Sequence, residues 1–220
     1  MAFEPETTHE DYKPGIYLAG ENQWPSMLPS LKPALYLYRN HMLNLANILL
    51  EVFAVALNTP LEQLKSLFSP PTFFLRLQRY PAQLSEKSED IYGIAPHTDY
   101  GFFTLLAQRE VDGLEVKTTD DKWFVVPHKP GALILNSGDM LRRMSNNLFL
   151  STPHRVRNTS DRDRYSIPFF FEPNMYQMIA PLKSCVSKNN PRTVLPIKYG
   201  EYLMDRIQGN YNLGKRRADD

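Results

Sequence analysis

Two histidines and one aspartate are the residues of this chain best suited to bind a metal ion. His97-Thr98-Asp99 falls in an extended segment, where residues two apart point to the same face, so an imidazole and a carboxylate converge. His154 lies beside a later β run and supplies a third ligand. Two histidines and one carboxylate leave the other positions of a metal open, which is the usual arrangement in non-haem Fe(II) oxygenases. The pattern predicts a metal centre formed by His97, Asp99 and His154.

A second pair of residues, Arg164 and Ser166, is suited to bind an anion. In Arg164-Tyr165-Ser166 the first and third side chains share a strand face. Arginine offers a rigid two-pronged donor for a carboxylate, and serine adds a hydroxyl. Arg164 and Ser166 therefore predict a carboxylate-binding site close behind the third metal ligand.

Neither motif is specific alone. His9-Glu10-Asp11 repeats the histidine–aspartate spacing in an irregular lead-in, where we expect a solvated loop, and Arg143-Met144-Ser145 repeats the second motif. The alternative interpretation is a hydrogen-bonded polar cluster of the three metal-ligand candidates, with Arg164 in a surface ion pair. The combination of both motifs within one β region favours the metal site.

The elements that must position these residues follow from hydrophobic periodicity. Apolar residues repeat at steps of three and four from Leu35 to Ala56, which predicts an amphipathic helix with Ser30 as its N-cap. Short β runs between turn residues then follow, typical of a sandwich or jelly roll. The predicted strands are Phe73–Tyr80, Phe102–Ala107, Leu114–Val116, Trp123–Val126, Ala132–Leu135, Arg155–Arg157, Tyr165–Phe171 and Tyr176–Ala180. We expect one domain over 1–220, with a lead-in (1–33), helices (34–68), a jelly-roll core (73–180) and a C-terminal helix and tail (198–220).

Composition excludes several classes of protein. The formal net charge of +1 supplies no basic footprint for nucleic acid or an anionic membrane. The single cysteine, Cys185, excludes an internal disulfide and a cysteine-rich zinc module. The first residues show no secretory signal, and polar residues interrupt the most apolar stretch, Leu43 to Leu57. These features predict a cytoplasmic protein that binds neither nucleic acid nor membrane.

The chain resembles the isopenicillin N synthase-like branch of the 2-oxoglutarate and Fe(II)-dependent dioxygenases from about Tyr12 to Tyr211. The stretches that carry the resemblance are Asn22-Gln23-Trp24-Pro25, Arg79-Tyr80-Pro81, His97-Thr98-Asp99-Tyr100-Gly101, Thr104-Leu105-Leu106, Gly113-Leu114-Glu115-Val116, Asn136-Ser137-Gly138-Asp139, His154-Arg155-Val156 and Arg164-Tyr165-Ser166. The resemblance implies a mainly β fold with flanking helices, whose core is a double-stranded β-helix, or jelly roll.

The resemblance also implies roles for individual residues. His97, Asp99 and His154 would bind Fe(II). Arg164 and Ser166 would hold the distal carboxylate of 2-oxoglutarate, with a further hydroxyl from Tyr80. The expected substrate pocket has an apolar wall that includes Phe102, Phe103 and Phe171.

The implied activity is oxidation of a small organic molecule, by hydroxylation, desaturation or cyclisation, with consumption of 2-oxoglutarate and O₂ and release of succinate and CO₂. Two alternatives stay open: an Fe(II) oxidase of the same fold that does not use 2-oxoglutarate, and a non-catalytic, truncated jelly-roll binding protein. Typical members carry a further N-terminal region before the matched segment. We therefore expect exposed apolar surface and self-association of this chain.

Overall fold

The long helix α1 (Leu31–Ala56) supports one side of the molecule. The computed structural model describes residues 20–83 and 91–216. The helix begins directly after Ser30, as predicted, but the Ser30 side chain makes no capping hydrogen bond. It ends before Asn58, which adopts a positive φ of 47°, a conformation that asparagine tolerates well. One face of α1 is buried and includes Met42, Leu50 and Phe53.

The remaining helices are short except the last. They are α2 (Leu61–Ser66), α3 (Asp139–Met144), a 3₁₀ turn (Lys183–Cys185) and α4 (Tyr199–Arg216). The strands are β1 (Thr72–Leu75), β2 (Gln78–Tyr80), β3 (Ile94–His97), β4 (Phe103–Gln108), β5 (Leu114–Lys117), β6 (Trp123–Val125), β7 (Ile134–Ser137), β8 (His154–Val156), β9 (Arg164–Glu172), β10 (Met178–Ile179) and β11 (Ile197–Lys198).

The larger sheet has the order β1-β9-β4-β7, and β2 pairs with the other end of β9. All of its pairings are antiparallel. Successive residues of a strand point to opposite faces, so the register assigns each side chain to one of two environments. The aromatic residues Phe103, Phe169 and Phe171 belong to the face that packs in the main hydrophobic core with Phe53 of α1.

The smaller sheet has the order β3-β8-β5-β6 and is also antiparallel. A second apolar cluster joins residues of both sheets: Tyr80 and Leu106 come from the larger sheet, and Leu114 and Val156 from the smaller one. Two antiparallel sheets with their inner faces together form the expected jelly roll. The functional residues lie in this interior.

The fold class predicted from the sequence is confirmed, with differences in detail. The predicted strand Phe73–Tyr80 is two strands, β1 and β2, that pair with β9 in one continuous register. The segment Ile94–His97 and the helix α3 are absent from the elements predicted from the sequence. The division of 1–220 into one domain with the stated boundaries stays a prediction, and His9 lies outside the described residues.

Candidate functional site

The three predicted metal ligands lie together. β3 and β8 pair with His97 opposite His154, and Asp99 follows two residues after β3 ends. The Nε2 atoms of His97 and His154 lie 3.7 and 3.6 Å from Oδ1 of Asp99. One donor atom from each residue falls within 4.8 Å of the other two. The structure therefore brings together two imidazoles and one carboxylate around a single point.

Both imidazoles are oriented by backbone carbonyls. Nδ1 of His97 lies 2.8 Å from the carbonyl oxygen of Ala95, and Nδ1 of His154 lies 3.1 Å from that of Thr152. A carbonyl only accepts, so each Nδ1 carries a proton, and in the neutral form of each ring Nε2 is the atom that presents a lone pair. Burial and then the neighbouring charge of His154 lower the pKa of His97. The neutral imidazole that a metal requires is thus favoured at neutral pH.

The two carboxylate oxygens of Asp99 have different surroundings among the described residues. Its Oδ2 accepts hydrogen bonds from Oγ1 of Thr104 at 2.5 Å and from Nδ2 of Asn136 at 2.7 Å. Thr104 and Asn136 are register partners on β4 and β7, so one cross-strand pair holds the group. Oδ1 remains directed at the two histidines. The sequence analysis assigned no role to Thr104 or Asn136, although both stand in motifs that carry the resemblance.

The loop that carries Asp99 is fixed by the start of α3. The backbone N–H of Asp139 donates to the carbonyl of Asp99 at 2.8 Å. Gly138 allows this approach, since a Cβ there would lie 2.4 Å from the carbonyl oxygen of Gly101. The Asp139 carboxylate accepts a hydrogen bond of 2.7 Å from Tyr202 of α4. The C-terminal helix therefore supports the metal-ligand loop through α3.

Arg164 is a buried cation on β9. Its side chain has no solvent exposure, and burial lowers its pKa. One terminal nitrogen donates to Oε1 of Gln108 at 3.1 Å and the other lies 3.5 Å from Oγ of Ser166, while Nε meets no partner among the described residues. Gly113 provides its space, because a Cβ there would lie 3.0 Å from Cδ of Arg164. Among the described residues no carboxylate lies at ion-pair distance from Arg164, so its buried guanidinium suits an anionic ligand.

Two further groups surround this guanidinium. The ring of Tyr80 lies 5.0 Å from the guanidinium carbon, and its hydroxyl has no hydrogen-bond partner among the described residues. Burial raises the pKa of Tyr80, so its hydroxyl stays a donor. Oγ of Ser166 also approaches Oε1 of Gln78 at 3.4 Å. Arg164, Ser166 and Tyr80, which were predicted to act together, are therefore adjacent, and the unsatisfied hydroxyl adds a donor for the same ligand.

The prediction that Phe102, Phe103 and Phe171 line the substrate pocket is wrong. All three are at most 1% exposed and belong to the main core. Phe102 packs edge-on against Phe53 of α1, and Phe103 and Phe171 stack on each other at 5.1 Å. Phe103 directly precedes Thr104, which faces Asp99, so the pleat turns the phenylalanine to the opposite side of the sheet.

The metal that the triad implies fits the residues present. Two imidazole nitrogens and one carboxylate oxygen converge, the second carboxylate oxygen is hydrogen-bonded, and Nδ1 of each histidine faces a backbone carbonyl. This is the donor set and the supporting shell of a facial-triad iron site. Among the described residues it is the one group of three or more potential ligands placed to hold a metal ion.

Comparisons with known proteins agree with this geometry. The family model for the 2OG-Fe(II) oxygenase superfamily matches residues 72–173. A Dictyostelium discoideum protein named as a probable iron/ascorbate oxidoreductase is 32% identical over 248 residues, covering 90% of this chain and 68% of that protein. The chain belongs to the 2OG-Fe(II) oxygenase superfamily.

Solved oxygenases of the superfamily share the fold. The crystal structure of full-length Neurospora crassa T7H in complex with alpha-KG has a TM-score of 0.80 and 27% identity, covering 94% of this chain and 64% of that one. The crystal structure of JOX2 with 2OG, Fe and JA has a TM-score of 0.77 and 31% identity, covering 86% and 56%. The chain spans between 47% and 62% of the length of other curated relatives, among them the sexual differentiation process protein isp7 of Schizosaccharomyces pombe.

None of the helices in the described part of the chain is long and apolar enough to cross a membrane.

Proposed function

We propose that this chain is a non-haem Fe(II)- and 2-oxoglutarate-dependent dioxygenase that oxidises a small organic molecule. The observation that carries the proposal is the presence of two complementary sites in one interior: a facial set of metal ligands, and a buried guanidinium that lacks a carboxylate partner among the described residues. A keto acid with two carboxylates would offer one end to the metal and the other carboxylate to Arg164. The reaction would consume 2-oxoglutarate and O₂ and release succinate and CO₂.

His97, Asp99 and His154 would hold Fe(II), with the free Oδ1 of Asp99 and both Nε2 atoms as ligands. When bound, the metal supplies the O₂ chemistry that amino-acid side chains lack. Thr104 and Asn136 would hold the Asp99 carboxylate in its orientation. Relatives support this choice of metal and co-substrate, since JOX2 is bound to Fe and 2OG and T7H to alpha-KG.

Arg164 and Ser166 would bind the distal carboxylate of 2-oxoglutarate, and the Tyr80 hydroxyl would donate a further hydrogen bond. Because the site is buried, its charged hydrogen bonds are stronger than they would be in water. The ligand would in turn satisfy Nε of Arg164 and the hydroxyl of Tyr80, which have no partner among the described residues. The protein thus positions the keto acid, and the apolar cluster around Leu106 and Val156 excludes water from its surroundings.

The proposal includes a small-molecule substrate rather than a nucleic acid or a membrane, and a cytoplasmic location. The net charge of +1 supports the first part, because it offers no electrostatic attraction to a polyanion.

The test is an anaerobic titration of the Fe(II)-loaded protein with 2-oxoglutarate, followed by the visible charge-transfer absorption of the chelated keto acid. Arg164→Met keeps most of the buried stem volume and removes the charge. Arg143→Met is the matched control, because Arg143 stands in the other Arg-x-Ser motif and its NH2 group donates to the carbonyl of Leu195. Circular dichroism checks that both variants fold.

A saturable band that Arg164→Met weakens and Arg143→Met does not is the expected result. Bound iron without a band would favour the Fe(II) oxidase that does not use 2-oxoglutarate. A folded protein that binds no Fe(II) would favour the non-catalytic jelly-roll protein.

A further inference from the structure

Arg76 lies in a row of side chains that faces the jelly-roll interior. The register of β1 and β2 against β9 is continuous, since Phe74 pairs with Phe170 and Gln78 pairs with Ser166. The backbone N–H of Arg76 donates to the carbonyl of Pro168 at 3.1 Å, which keeps it in the same ladder. Alternation along the strand then places Arg76 on the face of Phe74 and Gln78.

The contacts of Arg76 agree with this placement. Its guanidinium carbon lies 5.2 Å from the centre of the Phe170 ring. Phe170 in turn pairs with Thr104 on β4, whose hydroxyl donates to Asp99. Burial raises the pKa of Tyr80, against a small lowering by Arg76. Arg76 therefore shares a sheet face with Phe170, the register partner of Thr104, and with Gln78, the register partner of Ser166, while its own side chain is exposed to solvent.

No carboxylate neutralises this charge at ion-pair distance within the described residues. Oδ2 of Asp99 accepts hydrogen bonds from Thr104 and Asn136, and Oδ1 of Asp99 faces the two histidines. Glu172 accepts a hydrogen bond from Tyr199, and its burial raises its pKa to about 8, so it is mostly protonated at pH 7.

A neighbouring arginine shows the contrast. Arg79, on β2, points to the other face of the sheet and pairs with Asp163 at 2.7 Å between Nε and Oδ2. It has an ordinary surface ion pair, whereas Arg76 presents an unneutralised guanidinium beside a metal site and an aromatic ring. That combination is what an anion with an apolar body requires.

We propose that Arg76 binds a carboxylate of the molecule that is oxidised, so that the substrates are small organic acids with an apolar body. This inference rests on the proposed function, in which Arg164 and Ser166 already hold the distal carboxylate of 2-oxoglutarate. Arg76 then serves a second anion. Phe170 and Phe74 provide the apolar surface beside it, and the carboxylate fixes which carbon of the substrate faces the metal.

The experiment measures the binding of small carboxylic acids to protein loaded with Mn(II) and 2-oxoglutarate. These two ligands occupy their sites, and no turnover takes place. The probes are monocarboxylates from acetate to octanoate and phenylacetate, each compared with its neutral amide by isothermal titration calorimetry or ligand-observed NMR. The variants are Arg76→Gln and the matched control Arg79→Gln.

The wild-type protein is expected to bind at least one acid more tightly than its amide. Arg76→Gln should weaken that acid by roughly ten- to a hundredfold, the range for hydrogen bonds to charged groups, and leave the amide and 2-oxoglutarate unchanged. Arg79→Gln should behave as wild type.

Three results would overturn the inference: equal affinity for acids and amides, no binding of any acid, or equal losses of affinity in the two variants. If Mn(II) and 2-oxoglutarate still bind normally, the proposed function stays intact. A loss of 2-oxoglutarate affinity in Arg76→Gln would also overturn the inference, because Arg76 would then serve the co-substrate. Failure of wild-type protein to bind Mn(II) and 2-oxoglutarate would refute the proposed function and this inference with it.

Discussion

The hydrogen bond from Thr104 to Asp99 should contribute measurably to the metal affinity. Thr104→Val removes the hydroxyl and keeps the shape of the side chain. The bond is 2.5 Å long and both residues are buried, 4% and 6% exposed, so water cannot replace the lost donor. A hydrogen bond to a charged group contributes about 1.5–3 kcal/mol. Loss of such a supporting partner costs about 10- to 100-fold in metal affinity.

The matched control is Thr72→Val in the same sheet. Thr72 is fully buried on β1, but its hydroxyl has no hydrogen-bond partner among the described residues. The two variants therefore make the same chemical change at two buried positions, one bonded to the metal carboxylate and one not. Thr72→Val should leave metal affinity unchanged and should not lower the free energy of unfolding, because it removes an unsatisfied polar group.

The assay is a titration of the metal-free protein with Mn(II), followed by the EPR signal of free Mn(II), with urea unfolding of each apo variant to compare folds. We expect a Kd for Mn(II) about 10- to 100-fold higher for Thr104→Val alone. Equal Kd values for wild type, Thr104→Val and Thr72→Val, with all three folded, would refute the argument that this bond orients the ligand.

Three further predictions concern the surroundings of the site. Glu172→Gln should remove a pH dependence of the free energy of unfolding. The folded-state pKa of Glu172 is about 8 and lies above the usual 4.5, so the stability of the wild type falls as the pH rises between these two values. Urea unfolding should show a fall, relative to the variant, of up to about 1.4 kcal/mol per pH unit. Gly113→Ala should weaken 2-oxoglutarate binding in the spectroscopic titration, because the new Cβ would meet a backbone oxygen at 2.5 Å and the φ of 148° is unfavourable. Tyr202→Phe should lower Mn(II) affinity several-fold with little change in fold, because it removes the donor to the carboxylate at the start of α3.

Each of these predictions has a contrary outcome. Parallel pH–stability curves for wild type and Glu172→Gln would show that this carboxyl is ionised when folded. Gly131 has a positive φ of 73°, and a Cβ added there would meet no atom within 4 Å, so Gly131→Ala controls for backbone strain alone. Equal losses of 2-oxoglutarate affinity in Gly113→Ala and Gly131→Ala would refute the steric argument. An unchanged Mn(II) affinity in Tyr202→Phe would mean that α4 does not support the metal-ligand loop.

The convergence of His97, Asp99 and His154 could be predicted because the chemistry of the three residues is visible in residue type and spacing. His97, Asp99 and His154 are needed for what they can bind, and the structure places their donor atoms together. The same holds for Arg164 and Ser166, which share a strand face through their spacing alone. These predictions require no knowledge of which strands are neighbours.

The supporting residues could not be predicted, because they depend on register. Thr104 and Asn136 meet at Asp99 only because β4 and β7 pair in one particular alignment. The pocket prediction failed for a related reason. The run from Phe102 to Ala107 is apolar almost without interruption, so it shows no alternation from which to tell the two faces apart, and an error of one residue exchanges them.

The most direct test of the central claim is anomalous diffraction at the iron edge from crystals grown anaerobically with Fe(II) and 2-oxoglutarate. We expect one strong peak bounded by Nε2 of His97, Nε2 of His154 and Oδ1 of Asp99, with density for the keto acid that ends at Arg164. An iron peak elsewhere, or iron in this place with the keto acid directed away from Arg164, would contradict it.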